Sequence, residues 1–146
     1  MEPVLNEILD ILIAFVLGAI IGAEREWRRH PGGLRSCAIV AAASAGYMRL
    51  MIEVGGNNLS AGLGALVTGV GFLGAGVILH RDTGVRGLST AATFWAVAAI
   101  GAAAGAGHHH LALALAASVF FSHSVLRSVS SWIERHAPPE DDSGPK

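Results

Sequence analysis

From Gly69 to Leu79 the chain runs without a charge, and glycine recurs at Gly71, Gly74 and Gly76 among Val, Phe, Leu, Ala and Ile. In water each such glycine weakens a helix by up to about 1 kcal/mol. In a bilayer the same residues let helix backbones come close, because association there rests on packing rather than on expulsion of water. The whole chain agrees with a lipid setting. It is 52% hydrophobic and 14% charged, against about 25% charged residues in a soluble domain, and its mean hydropathy is +0.52. The expected fold is an all-α integral membrane protein.

Five apolar segments are expected, at about residues 4–22, 36–54, 62–79, 90–105 and 108–126. They sit near the lower length limit for a spanning helix, so tilt or partial re-entry is expected of the first and fourth. Basic residues set the orientation. Arg25, Arg28, Arg29 and Arg35 follow the first segment, Arg81 and Arg86 the third, and Arg127, Arg135 and Lys146 the fifth. With five crossings all of these share one face, read as cytoplasmic; the N-terminus is then outside and the C-terminus inside. Arg49 alone lies near the other face. Glycine-rich turns are expected at residues 55–60 and 105–107. Residues 128–136 read as a short amphipathic helix turning Val129, Trp132 and Ile133 to the headgroups. One membrane domain over residues 1–136 and a disordered cytoplasmic tail at 137–146, rich in Pro, Asp and Ser, complete the organisation. Asn6, Glu7 and Asp10 stand where a secretory signal would be basic, so no such signal is expected. A net charge of −1 argues against a nucleic-acid partner, and the single Cys37 excludes an intrachain disulfide.

Two stretches carry a family resemblance. Residues 22–36 read Gly-Ala-Glu-Arg-Glu-Trp-Arg-Arg-His-Pro-Gly-Gly-Leu-Arg-Ser. Residues 71–78 (Gly-Phe-Leu-Gly-Ala-Gly-Val-Ile) are followed, after a charged link, by residues 85–95 (Val-Arg-Gly-Leu-Ser-Thr-Ala-Ala-Thr-Phe-Trp). Together they resemble the N-terminal membrane domain of the MgtC/SapB family over about residues 9–126. The resemblance implies a bacterial inner-membrane protein tied to growth and survival under low magnesium. Members were first taken for magnesium transporters, and regulation of other membrane proteins, such as the ATP synthase, is also attributed to some. Many continue into a soluble C-terminal domain that these 146 residues do not contain. Ser89 stands where Thr or Asn is expected, a change that keeps a small polar group.

Several side chains are candidates for function. Asp10, flanked by Leu9 and Ile11, is an acid in an apolar segment, and such residues are functional candidates by default. Glu7 is three residues earlier on the same helical face. As a pair they suit a hydrated cation at the outer mouth, since Mg2+ takes few carboxylates and keeps its waters; a headgroup position is the alternative. Glu24, a third cation candidate, directly follows an apolar helix and needs a partner. A network of Glu24, Arg35, Asp82 and Arg86 is expected to lock helices one, two and four at the inner face. Gly69, Gly71, Gly74 and Gly76 are read as a helix-packing motif, within the chain or between copies; lining a narrow pathway is the other reading. Their GxGxxG spacing lacks the βαβ unit of a dinucleotide site. Ser89 is expected to N-cap the fourth helix, with Thr90 and Thr93 beside it. Consecutive His108, His109 and His110 do not share a helix face and suit the headgroup zone, whereas His123 suits an interhelical hydrogen bond. Trp27, Trp95 and Trp132 fit interfacial anchoring.

No nucleophile elbow, zinc spacing or phosphate loop is present, so no enzyme is expected. The leading expectation is a small inner-membrane protein serving magnesium homeostasis through contacts with the bilayer, other inner-membrane proteins and further copies of itself. It has no cofactor unless Mg2+ binds. The runner-up is a divalent-cation transporter or channel subunit that uses Asp10, Glu24 and the glycine groove. A purely structural subunit of a larger complex is the third.

Overall fold

The computed structural model of the chain describes residues 2–54, 58–81 and 84–136. Its helices are α1 (Glu2–Trp27), α2 (Leu34–Val54), α3 (Leu59–Val77), α4 (Leu88–Gly105), α5 (His109–Phe121) and α6 (Arg127–His136). A π-helical turn at Ser122–Leu126 joins α5 to α6, making one continuous helix from His109 to His136. Two short strands, β1 (Leu79–Arg81) and β2 (Gly84–Arg86), pair antiparallel between α3 and α4. The expected tail at 137–146 and residues 55–57 of the expected turn at 55–60 lie outside the described residues.

Five of these helices are long and apolar enough to cross a membrane. With 26 residues, α1 is about 39 Å long at 1.5 Å per residue, more than the roughly 30 Å hydrocarbon layer. Its last turn therefore projects beyond the apolar zone or the helix tilts. The helix α4, with 18 residues, is the centre of the bundle, touching α1, α2, α3 and α5.

Small residues make that central position possible. A Cβ added to Gly101 would lie 2.1 Å from the Ala41 carbonyl oxygen, and one at Gly105 2.4 Å from that of Ala45. Gly18 and Gly22 do the same for α1 against α2, with added carbons 2.6 Å from the Cys37 oxygen and 2.7 Å from the Gly33 oxygen. Both pairs are four residues apart, the small-xxx-small spacing of close membrane-helix packing. The packing motif expected at Gly69, Gly71, Gly74 and Gly76 is not the one the bundle uses. Only Gly74 meets another helix, at Ala91; Gly69, Gly71 and Gly76 face open space.

The core is built from α1, α2, α4 and α5, through Ala14, Ile21, Cys37, Ala41, Val97, Ile100, Ala112 and Ala116. α3 leans on this unit and buries only Val70 and Gly74. Outward, every span presents large apolar side chains, such as Ile8, Leu12 and Phe15 on α1 and Phe72 on α3. A water-exposed monomer rarely shows such continuous apolar area; lipid is the solvent of this surface.

Candidate functional site

Polar side chains gather at the two ends of the α1–α5 contact. The first end is built by the way α1 stops. Arg29 adopts a positive φ of 59°, and the His30 and Arg29 amides donate to the Arg25 and Glu26 carbonyls at 3.0 and 2.9 Å. This is a Schellman stop, with Pro31 just beyond it preventing continuation. Gly32, at φ 74°, lets the loop press on α4; a Cβ there would sit 2.9 Å from both Phe94 and Thr90. Glu26 caps the next helix by accepting from the Leu34 amide at 2.9 Å. The turn thereby points the carbonyls of Pro31 and Gly32 back at Arg25.

Arg25 is 2% exposed. Its Nη2 donates to Pro31 O at 2.7 Å and to Thr90 Oγ1 at 2.8 Å. Its Nη1 donates to Thr93 Oγ1 at 2.9 Å, and its Nε to Gly32 O at 3.2 Å. No carboxylate forms an ion pair with it among the described residues. A buried guanidinium without an acid must be solvated by dipoles, and here hydroxyls and carbonyls from α4 and the loop do so. Thr90 and Thr93 are thus acceptors for Arg25 rather than caps. The cap of α4 is Gly87, at φ 96°, where a Cβ would lie 2.0 Å from Val77 O. Ser89 falls inside the helix, and its carbonyl accepts from Thr93 Oγ1 at 2.8 Å.

Glu24 extends the cluster to the π turn that continues α5. Its Oε2 meets His123 Nδ1 at 3.1 Å, and His123 Nε2 meets Thr93 Oγ1 at 3.1 Å. Arg28, one turn along α1, forms an ion pair with Glu24 Oε1. That oxygen nevertheless lacks a well-directed hydrogen bond, so the contact with Arg28 is one of charge. The hydroxyl of Thr93 holds a single proton, shared between Ser89 O and His123 Nε2. With His123 neutral, Nδ1–H faces Glu24 and Nε2 accepts from Thr93; with His123 protonated, both ring nitrogens donate and Thr93 turns to Ser89.

The expected network of Glu24, Arg35, Asp82 and Arg86 does not assemble as such. Arg35 and Arg86 are exposed and enter no ion pair among the described residues, and Asp82 lies outside them. The inward face of α2 is set by Cys37, Ala38, Ala41, Ser44, Ala45 and Met48, which turns Arg35 away. Arg25 and His123 take the places assigned to Arg35 and Arg86.

At the opposite end Asp10, 4% exposed, joins three helices. Its Oδ1 lies 2.6 Å from His109 Nε2 on α5, and its Oδ2 lies 3.2 Å from Arg49 Nε on α2. The Arg49 contact is off the hydrogen-bonding direction. Glu7 is half-buried one turn earlier and forms no ion pair among the described residues. Both ends follow one rule: Asp10–His109 and Glu24–His123 each span 99 positions. Helices α1 and α5 therefore run parallel, with acid–histidine pairs about 21 Å apart along the axis. Buried apolar residues separate them, and Ser44 is the only buried polar side chain of the described residues outside these two clusters.

A resident Mg2+ does not fit these donors. Both oxygens of Asp10 and both of Glu24 already face basic groups. Among the described residues no three His, Cys, Asp or Glu side chains converge as a metal site. A polar cavity of about 520 Å³ does open beside the Arg25 cluster, lined by Glu24, Arg25, Arg28 and His30 from α1 and its loop. Ser89 closes it from α4, and Ser122, His123, Ser130 and Glu134 from the π turn and α6.

A lipid-facing bundle pinned at both ends by buried ionic and hydrogen-bonded clasps is a multi-pass membrane protein. The chain belongs to the MgtC family, whose model matches residues 11–132. Protein MgtC of Salmonella typhimurium strain LT2 is 40% identical over 128 residues, covering 88% of this chain and 55% of that protein. Protein MgtC of Brucella abortus strain 2308 is 40% identical over 107 residues, 73% and 45% of the two chains. An uncharacterized protein of Haemophilus influenzae is 36% identical over 136 residues, 86% and 57%. The chain thus spans about half the length of the curated relatives it matches. No solved structure matches it.

Proposed function

We propose that the protein is a bacterial inner-membrane protein serving magnesium homeostasis and adaptation to low magnesium, and that it acts by regulating membrane partners rather than by conducting the ion. The magnesium link rests on the family. The choice of regulator over conduit rests on one observation: between the two polar ends, the core of α1, α2, α4 and α5 is apolar save for Ser44. A permeating Mg2+ dehydrates reluctantly and requires oxygen ligands or water along its route. The carboxylates at either end are held by His109, Arg49, His123 and Arg28, which makes them clasps. The N-out, C-in orientation follows from the basic residues, and the parallel run of α1 and α5 supports an odd number of crossings. The open glycine face of α3 is the surface offered to a second copy or to another membrane protein.

Purified protein in liposomes, assayed for Mg2+ entry with and without Asp10→Ala, tests this reading. No flux above protein-free vesicles is expected from either form, and co-purification with a membrane partner is expected from native membranes. Flux abolished by Asp10→Ala would establish the divalent-cation transporter instead.

A further inference from the structure

The cavity beside Arg25 shares Glu24, Arg25, Arg28 and His123 with the inner clasp, but it is also lined by Glu134 and by serine hydroxyls that the clasp does not use. Two arginines and two carboxylates face it, together with three serine hydroxyls. A divalent cation entering it would meet Arg25 and Arg28; a phosphate dianion would meet Glu24 and Glu134. A ligand that carries both charges satisfies both sets. We propose that the cavity binds a phosphoethanolamine group, with the phosphate on Arg28 and the ammonium on the carboxylates of Glu24 and Glu134.

Four observations support this chemistry. Glu24 Oε1 is buried, yet its ion-pair partner among the described residues, Arg28, gives it charge without a directed hydrogen bond; an ammonium supplies the missing donor while Arg28, one-third exposed, turns to the phosphate. On the far wall Ser130 Oγ donates to Glu134 Oε1 at 3.2 Å, which orients the second acid. The π turn at Ser122–Leu126 offsets α5 from α6 and brings Ser122 to the cavity; such bulges recur at functional sites. The depth is also right for a lipid headgroup. Trp27 and Trp132 are exposed at this end, as aromatic residues are at the membrane interface, and pockets at this level hold headgroups in other membrane proteins. At about 520 Å³ the volume lies within the range of ligand sites, roughly 300–1,000 Å³. The phosphoethanolamine group arrives either as an aminophospholipid headgroup or as the free ester. The site stands whether the protein regulates partners or conducts an ion.

The test is binding by native mass spectrometry of delipidated protein in detergent, titrated with short-chain phosphatidylethanolamine, phosphatidylglycerol and phosphatidylcholine. Phosphatidylethanolamine is expected to bind about tenfold more tightly than the other two, the scale of one charge-assisted hydrogen bond. Glu134→Gln should remove that preference, and Arg28→Gln should weaken all three lipids. Both residues are exposed, and circular dichroism of each variant confirms that the helices persist. Free phosphoethanolamine that displaces the lipid identifies the soluble ester as sufficient; failure to displace it identifies the lipid as the ligand. Equal binding of the three lipids, or unchanged binding in both variants, would overturn the proposal.

Discussion

Helices α3 and α4 are both apolar and glycine-rich, and they sit side by side, yet they do opposite things with their glycines. On α4, Gly101 and Gly105 lie four residues apart on the face that meets α2, and each leaves room for a single backbone oxygen. On α3, a carbon added to Gly69, Gly71 or Gly76 would touch nothing within 4 Å among the described residues, and Gly69 borders an apolar gap between α2 and α3. Polar anchoring follows the same division. Thr90 and Thr93 tie α4 to Arg25 and to His123, whereas among the described residues the hydroxyl of Thr68 on α3 bonds to its own helix, at Gly64 O. Glycine density thus does not measure packing; spacing and register do.

The largest effect is expected where α4 has no room. Gly101→Val drives a branched side chain into the Ala41 carbonyl, and backbone cannot rotate away as a side chain can. Overpacking ordinarily costs about 1–3 kcal/mol, and this contact belongs at or above the upper end. Reversible unfolding in mixed micelles, or the yield of monodisperse protein, measures it. A variant as stable as the parent would show that α2 and α4 are not in van der Waals contact at this point.

Arg25→Gln comes next. It removes a buried cation that holds the α1–α2 loop to α4 and leaves two threonine hydroxyls and two carbonyls short of donors. A loss of about 3 kcal/mol is expected, comparable to breaking a buried ionic contact. Arg25→Lys should recover only part of it, because one ammonium cannot reach the fork of acceptors that a guanidinium spans. Full rescue by lysine would reduce Arg25 to a topological charge.

How far the sequence discloses this arrangement depends on the kind of signal. Apolar length discloses five spanning helices, because the bilayer imposes it. The turn at 105–107 is also legible from its glycines, and the structure makes it a Schellman stop of α4 with Gly107 at φ 76°. His123, among Ser118, Ser122 and Ser124 of the fifth segment, is legible as a hydrogen-bonding residue. Arg25 is not, because positive-inside bias accounts for arginines at a helix end without further cause. The missing clue is periodicity: Ala14, Gly18, Ile21 and Arg25 continue one buried stripe of α1, while Arg28 and Arg29 leave it. The glycine-dense run of α3 similarly masks the sparser pairs Gly18/Gly22 and Gly101/Gly105, whose four-residue spacing carries the contact. The pairing of α1 with α5 depends on tertiary register and has no local signature.

Amide hydrogen exchange in detergent sharpens the contrast at lower energy. Local opening is cheapest where few buried contacts must break. α3 buries two residues, whereas α4 buries most of its inward length, from Thr90 to Gly105. Exchange is therefore expected to be at least tenfold faster in the middle of α3 than in the middle of α4. Equal protection of the two helices would mean that something covers α3 in the purified protein, such as a second copy.

The smallest effect on stability, and the most informative about function, is expected from Gly71→Leu. The added side chain meets open space within the chain, and leucine favours a helix over glycine by several tenths of a kcal/mol. The monomer should therefore be unchanged or slightly more stable. Its association should not be. In the association proposed above, a neighbouring membrane helix would pack on α3 through the small residues that allow close backbone approach, and a leucine at the centre of that face would hold it off. Crosslinking in native membranes is expected to lose its homo-oligomer or partner bands while unfolding stays at the parent value. A stable variant with undiminished crosslinking would leave α3 as a lipid-facing helix and move the contact surface elsewhere. An unstable variant would mean that α3 packs into its own bundle, as α4 does, and the contrast between the two helices would vanish.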